Sequence, residues 1–245
     1  MSEHVFRTPA LAATSRAPRE PRARRPASPL SALAVAGLCG VVLAAIWWVA
    51  QYVPAAHFKD ATTLYKFTLL SRPGVDHVAR GLLRLLEPDL FVLWGIALVA
   101  TAFARGKPRV ALAAIAVLGL SPLTAEILKP LLAHAHDHVG YVAVAPASWP
   151  SGHATAATAL ALSAVLVAPA RLRAPVAALG VVFVAAVSFS LLLLAWHMPS
   201  DVLGGYVVAA LWMSLAVAAL RAVDRRWPPR AERHERHVRE LASAA

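Results

Sequence analysis

Residues 150–170 read PSGHATAATALALSAVLVAPA, a short polar opening followed by an almost unbroken apolar run. That run approaches the roughly 20 residues with which an α-helix crosses the hydrocarbon of a bilayer. Ser151 is a favourable N-cap, so the first turn of this helix is expected to hold Gly152 and His153. The stretch therefore predicts a membrane-spanning helix that begins with polar residues at one membrane face.

The rest of the chain has the same apolar character. Of its 245 residues, 59% are hydrophobic and only 15% are charged, a balance that favours a bilayer over water as the solvent. Residues 53–87 mix charged residues with leucines at helical spacing, which predicts one or two interfacial helices between the first and second spans. The predicted fold class is all-α, a six-transmembrane helical bundle, with spans at about 29–52, 89–104, 109–129, 152–170, 175–196 and 200–220.

Positive charge is concentrated outside the predicted spans. Most arginines lie in residues 1–28, predicted to be a disordered basic arm, and in residues 221–245, predicted to be a charged cytoplasmic tail. Residues 29–220 form the single membrane domain between them. Tails that touch anionic headgroups explain the net charge of +11, so no nucleic-acid partner is expected. Arg24-Arg25 is a weak twin-arginine pattern, but the Pro-Ala-Ser-Pro that follows favours retention over cleavage.

Short loops with positive residues predict the orientation. Arg105, Lys107 and Arg109 fall between the second and third spans, and Arg171 and Arg173 between the fourth and fifth. Such loops are retained in the cytoplasm, so both termini are expected there, with residues 130–150 and 197–200 on the outer side. The sequence thus predicts a multi-pass protein of the cell membrane, and nothing in it indicates an oligomeric state.

Three polar clusters meet at the predicted outer ends of the spans. Lys129 ends the third span, Pro150-Ser151-Gly152-His153 opens the fourth, and His197 and Asp201 lie where the sixth begins. An open helix N-terminus binds phosphate because its N–H groups and dipole favour an anion, and Gly152 allows close approach. Lys129 beside it would neutralise phosphate charge, although snorkelling to the interface or pairing with Glu126 would also explain this lysine.

His197 and Asp201 are four residues apart, so the carboxylate can reach back to the imidazole. A carboxylate that accepts a hydrogen bond from one ring nitrogen leaves the other nitrogen free to attack and stabilises the developing imidazolium. His153 is then a candidate proton donor. An interfacial histidine followed by a capping aspartate is the plainer alternative.

These residues resemble the motifs of the type 2 phosphatidic acid phosphatase superfamily, which also contains the vanadium haloperoxidases. The resemblance covers about residues 90–215: the second motif is intact as Pro150-Ser151-Gly152-His153, and the third keeps Ser190, His197 and Asp201. It implies a membrane-integral phosphatase for a lipid phosphate or diphosphate, with no metal or other cofactor. His197 would form a phosphohistidine, Asp201 would orient it, and His153 would protonate the leaving oxygen. Lys129, Ser151 and Gly152 would hold the phosphate oxygens.

Two positions depart from that pattern. The first motif ends in Arg-Pro where this chain has His136 and Asp137, and the third has an arginine where this chain has Leu191. Histidine donates one hydrogen bond at a time and leucine none, so phosphate binding should weaken. His134, His136 and His138 could supply cationic donors when protonated, and His136 is therefore a further candidate phosphate ligand.

Two other functions stay open. A catalytically weakened or inactive member of the same fold would bind a lipid phosphate or another anion without hydrolysing it. His134, His136, Asp137 and His138 could instead form a metal site, but such a site needs a further fixed ligand and supporting hydrogen bonds, so none is expected. The favoured partner remains a lipid phosphate substrate held in the bilayer.

Overall fold

A computed structural model describes residues 28–133 and 144–227. The described residues form eight α-helices and one 3-10 turn, and they contain no strand, so the predicted all-α class is confirmed. The helices are α1 (Pro29–Tyr52), α2 (Pro54–Thr68), α3 (Pro73–Arg84), α4 (Pro88–Ala104), α5 (Pro108–Leu131), α6 (Gly152–Val167), α7 (Arg173–Leu193) and α8 (Pro199–Arg226). Most of the predicted basic arm, the histidine-rich loop from His134 to His138, and the tail from residue 228 lie outside the described residues.

Proline sets where most of these helices begin. It occupies the first helical position of six of them, at Pro29, Pro54, Pro73, Pro88, Pro108 and Pro199. This position suits proline because its missing N–H would have no partner there and its fixed φ is already helical. Helix α6 is the exception that matters for function. It begins at Gly152 after the N-cap Ser151, so its first N–H groups are present and available.

Among the described residues, four segments are long and apolar enough to cross a membrane: α1, α5, Ala170–Leu193 and α8. Helices α4 and α6 are equally apolar but shorter, with 17 and 16 residues. All six coincide closely with the predicted spans, although a count of six crossings remains a prediction. Helix α8 continues to Arg226, so the predicted tail boundary at residue 221 falls inside a helix.

Basic side chains join the helix ends opposite the polar clusters. Arg221 donates to the backbone oxygen of Ser28 at 3.2 Å and to the hydroxyl of Ser31 at 3.0 Å. Arg109 pairs with Asp224 at 2.6 Å and also donates to the carbonyl of Trp227. These contacts stabilise the last turns of α8, which explains why the helix runs past the apolar residues.

The region between the first two predicted spans forms two helices, α2 and α3. Leu64 and Leu83 are almost fully buried there and join one apolar cluster with residues of α6 and α7. Val78, five residues before Leu83 in α3, is exposed. Both helices therefore pack on the bundle, against α6 and α7.

Small residues let α6 pack closely in the centre of the bundle. Its contacting face is largely alanine, with Ala154, Ala157 and Ala159 fully buried. Membrane helices commonly associate through such faces because small side chains let the backbones approach. At the N-terminal end of α6, Gly205 of α8 lies so close that an added Cβ would be 2.8 Å from the carbonyl oxygen of Ser151.

Candidate active site

The N-terminus of α6 is capped but open. Ser151 is fully buried, its Oγ accepts the N–H of Ala154 at 3.3 Å, and its carbonyl accepts both the N–H and the hydroxyl of Thr155. Within the described part of the chain, no acceptor contacts the N–H groups of Gly152 and His153. Two free donors at a helix N-terminus form a site for an anion.

A lysine lies beside this helix end, together with a carboxylate. Lys129, in the last turn of α5, is 2.6 Å from the Oε1 atom of Glu126, so the ion pair considered from sequence is present. A Cβ added to Gly152 would be 3.4 Å from the lysine Nζ and 2.8 Å from that Oε1. Gly152 therefore faces both charged groups, and Glu126 occupies space into which a larger residue or a bound anion would extend.

A specific turn places His197. Helix α7 ends in a Schellman motif, in which Trp196 N–H donates to the carbonyl of Leu191 and Ala195 N–H to that of Leu192. Ala195 has φ of 53°, the left-handed conformation that glycine usually supplies in this motif. The chain reverses direction there, and His197 follows two residues later.

The side chain of Asp201 holds His197. Its Oδ2 lies 3.3 Å from the His197 Nδ1 and accepts the N–H of Met198 at 3.0 Å. Asp201 is only 2% exposed, so these donors take the place of water around the carboxylate. In the tautomer with a proton on Nδ1, the His197 Nε2 lone pair is left for other chemistry.

Helices α6 and α8 are joined directly at this end. The N–H of Ser151 donates to the carbonyl of Asp201 at 2.9 Å. The ring of Trp196 lies 5.8 Å from the ring of His153, between centroids. The three polar clusters singled out in the sequence therefore share one end of the bundle.

The model of the PAP2 superfamily matches residues 94–225, more than half of the chain. This protein belongs to the PAP2 superfamily. A crystal structure described as the first transmembrane PAP2-type phosphatidylglycerolphosphate phosphatase, from Bacillus subtilis, superposes with a TM-score of 0.60. It is 21% identical, and the match covers 81% of this chain and 98% of that one. A search of curated proteins found no match.

Membership of the PAP2 superfamily, together with the apolar helices, makes this a multi-pass membrane protein with a phosphatase fold. The matched segment includes α5 to α8, and therefore Lys129, Ser151, Gly152, His153, His197 and Asp201. It begins within α4, so α1, α2 and α3 precede it along the chain.

Leu191 and His136 are the two positions at which the resemblance to the PAP2 motifs suggested a missing arginine. Leu191 is fully buried and belongs to the apolar cluster that contains Ala154 and Val202. It offers no donor, and its site is filled by packing. His136, the other such position, lies outside the described residues.

No group of three or more potential metal ligands occurs within residues 28–133 and 144–227. The metal alternative rested on His134, His136, Asp137 and His138, which lie between those ranges. No metal enters the chemistry proposed below.

Sequence reasoning missed Asp60, which reaches the site from α2. Its Oδ1 accepts the N–H of Ser200 at 3.1 Å and its Oδ2 the Ser200 hydroxyl at 2.5 Å. Burial raises the pKa of the Asp60 carboxyl, an effect opposed by the hydrogen bonds from Ser200. An acidic residue among the apolar positions of an interfacial helix was the available signal, but nothing local indicated a partner 140 residues away.

Proposed function

We propose that this protein is a lipid phosphatase that hydrolyses a lipid phosphate monoester or diphosphate at the extracytoplasmic face of the membrane, without a metal, through a phosphohistidine at His197. One observation carries the proposal. An open helix N-terminus with a lysine beside it lies at the same end of the bundle as an imidazole held by a buried carboxylate. These are the two halves of a phosphoryl-transfer site, an anion cradle and a nucleophile.

The cradle binds the phosphoryl group through its non-bridging oxygens. The N–H groups of Gly152 and His153 and the ammonium of Lys129 are the donors, and the dipole of α6 adds favourable charge. Ser151 contributes its hydroxyl. His136 would add a further donor from the adjacent loop. For Lys129 to act in this way, its bond to Glu126 must yield to the phosphate.

The reaction has two displacement steps. The His197 Nε2 attacks phosphorus while the bond to the leaving alcohol oxygen breaks, and His153 gives that oxygen a proton. Asp201 stabilises the positive charge that develops on the imidazole. Water then attacks the phosphohistidine, losing its proton to His153, and the N–P bond breaks to release inorganic phosphate and restore His197.

The substrate is proposed to be a lipid because the bundle presents apolar side chains outward along its length. Leu33, Leu38 and Val41 on α1 and Leu179 and Val182 on α7 are all exposed. A substrate with its chains in hydrocarbon and its phosphate at headgroup level would meet the site from the membrane. The name of the Bacillus subtilis protein puts phosphatidylglycerol phosphate first among the candidates. Phosphatidate, sphingoid phosphates and polyprenyl diphosphate are the others.

The proposed orientation follows from charge. Arg105 donates to the carbonyl of Val167, so the basic loop after α4 lies beside the far end of α6, opposite the cradle. Arg109 and Arg221 lie at that end as well. Positive loops are retained in the cytoplasm, which supports cytoplasmic termini, six crossings and a site facing outward.

One observation favours a second candidate, a protein that binds a lipid phosphate without turnover. Leu191 replaces an arginine of the motif and is buried in the core, so that guanidinium has no substitute at its own position. Each charge-assisted hydrogen bond is worth about 1.5–3 kcal/mol, and the loss falls on the transition state as well as on the bound substrate.

The deciding experiment is phosphate release by the protein purified in detergent, from the four classes of lipid phosphate named above, with chelator and no added metal. His197→Ala should abolish release, whereas His77→Ala, which changes an exposed histidine of α3, should not. Release by wild type that persists in His197→Ala would refute the phosphohistidine. No release from any substrate between acidic and alkaline pH would favour the binding protein.

A further inference from the structure

Asp60 belongs to neither half of the proposed site, yet it contacts the turn that follows the nucleophile. It comes from α2, outside the segment that matches the PAP2 superfamily, and both its carboxylate oxygens accept hydrogen bonds from Ser200. Ser200 lies immediately before Asp201. Asp60 and Ser200 are 140 residues apart in the chain, so their contact depends on how α2 packs beside the start of α8.

The N-terminus of α8 lies beside His197 and carries the charge of the helix dipole. A helix N-terminus carries a partial positive charge, which disfavours a cation placed beside it. His197 immediately precedes the N-cap Met198 and must become cationic when it is phosphorylated. Left alone, the dipole of α8 would oppose the chemistry proposed for His197.

Two carboxylates occupy this helix end. Asp201 accepts the N–H of Met198, Asp60 accepts the N–H of Ser200, and Pro199 between them has no N–H. The N–H of Asp201 itself bonds to the carbonyl of Met198. The N-terminus of α8 is therefore filled with negative charge, whereas that of α6 is open.

From this arrangement, and resting on the proposed function, we infer that Asp60 is a positioning residue for His197. Its carboxylate fixes the first turn of α8, which carries Asp201, and it offsets the helix dipole where the imidazole gains positive charge. Asp60 itself does not touch the substrate. It acts through Ser200 and through the field at the helix end.

The alternative is that Asp60 only stabilises the fold. Burial disfavours its charged form strongly enough to raise its pKa despite the bonds from Ser200. A neutral amide of the same shape would avoid this cost, with its oxygen accepting the Ser200 N–H and its NH2 donating to the Ser200 hydroxyl oxygen. The charge of Asp60 is better explained by the function of the neighbouring histidine.

The test compares Asp60→Asn with Asp76→Asn. Asp76 is a matched control because it is an aspartate of the same interfacial region that accepts a side-chain hydrogen bond from Ser71, within its own segment. Asp60→Asn is expected to lower kcat about tenfold or more, change KM less than about twofold, and leave the thermal midpoint at neutral pH no lower than that of wild type. Asp60→Glu should recover part of the lost kcat. Asp76→Asn should leave kcat and KM unchanged.

An unaltered kcat in Asp60→Asn would overturn the inference. A lower kcat accompanied by a lower thermal midpoint would also overturn it, because the lost rate would then reflect a destabilised fold. A second measurement separates this failure from failure of the proposed function. Orthovanadate, which adopts the five-coordinate geometry of the phosphoryl-transfer transition state, is titrated and the increase in thermal midpoint recorded.

Wild type should be stabilised by orthovanadate, His197→Ala should not, and Asp60→Asn should need several-fold more orthovanadate than Asp76→Asn. If wild type binds orthovanadate but releases no phosphate, the hydrolase proposal fails and the Asp60 comparison still decides the inference. Equal orthovanadate affinity in Asp60→Asn and Asp76→Asn overturns it. If wild type neither binds orthovanadate nor releases phosphate, both proposals are overturned.

Discussion

Replacing Gly205 by alanine tests whether the contact between α6 and α8 sets the geometry of the site. An added Cβ would be 2.8 Å from the carbonyl oxygen of Ser151 and 2.9 Å from both the Ala154 Cβ and the Thr155 N. Two of these three atoms are backbone, so no side-chain rotation can relieve the overlap. The helices must separate until each distance reaches at least the 3.4 Å of ordinary van der Waals contact.

This separation has a calculable cost. Overpacking of a close contact typically destabilises by about 1–3 kcal/mol. The same movement stretches the 2.9 Å hydrogen bond from Ser151 N to Asp201 O, which joins the anion cradle to the helix that carries the nucleophile's partner. A misplacement of about 1 Å can cost about 100-fold in rate, so the smaller shift needed here should cost about tenfold in kcat.

The assay combines phosphate release with thermal unfolding in detergent, and Gly119→Ala in α5 is the control. A Cβ at Gly119 has no neighbour within 4 Å, so this change should raise stability by up to about 1 kcal/mol through helix propensity and leave kcat unaltered. Wild-type kcat and midpoint in Gly205→Ala would refute the reasoning. An equal loss of kcat and thermal midpoint in Gly205→Ala and Gly119→Ala would also refute it, because the loss would then not depend on the contact between α6 and α8.

Three further outcomes are expected. Glu126→Gln should lower KM about fivefold with little change in kcat, because freeing Lys129 from a half-exposed ion pair is worth about 1 kcal/mol. A higher KM in steady-state assays would mean that Glu126 instead positions the lysine. Ala195→Gly should raise the unfolding free energy by about 0.5–1 kcal/mol. Relief of the left-handed strain at this residue gains about 1–2 kcal/mol, which exceeds the loss of about 0.4–1 kcal/mol from a more flexible unfolded chain. A lower thermal midpoint would contradict this prediction. The pKa of Asp60 is raised in the folded protein, so the stability contributed by its protonated form is fully present below the pKa of an unfolded aspartate and is lost as pH rises through the raised pKa. The thermal midpoint of wild type should therefore fall relative to that of Asp60→Asn over this pH range. Parallel curves of midpoint against pH would be inconsistent with a raised pKa.

Features that depend on neighbouring residues could be predicted from the sequence. Apolar runs predicted the start of each apolar helix to within two residues, and α1 occupies the predicted residues 29–52. The contact between Lys129 and Glu126 follows from a spacing of three residues within α5, and that between His197 and Asp201 from a spacing of four across the start of α8. Grouping the clusters at one end required only the alternating direction of consecutive spans.

Contacts between distant segments could not be predicted in this way. Nothing in the periodicity of α2 indicates that Asp60 meets Ser200, or that Gly205 lies against Ser151, because these contacts depend on how helices pack. The left-handed Ala195 was missed for a different reason: alanine gives no signal for a conformation that glycine usually adopts. The shorter α6, which ends at Val167 before the predicted 170, is terminated by the approach of Pro169.

Asp201 makes it impossible to divide this site into independent contributions. Its Oδ2 serves both His197 and Met198, and its carbonyl receives the N–H of Ser151. Substitutions at residues that share a partner have non-additive effects. We therefore expect His197→Ala combined with Asp201→Asn to release phosphate no more slowly than His197→Ala alone, yet to unfold more easily. In a double-mutant cycle, the coupling energy between these residues would be as large as the effect of Asp201 itself.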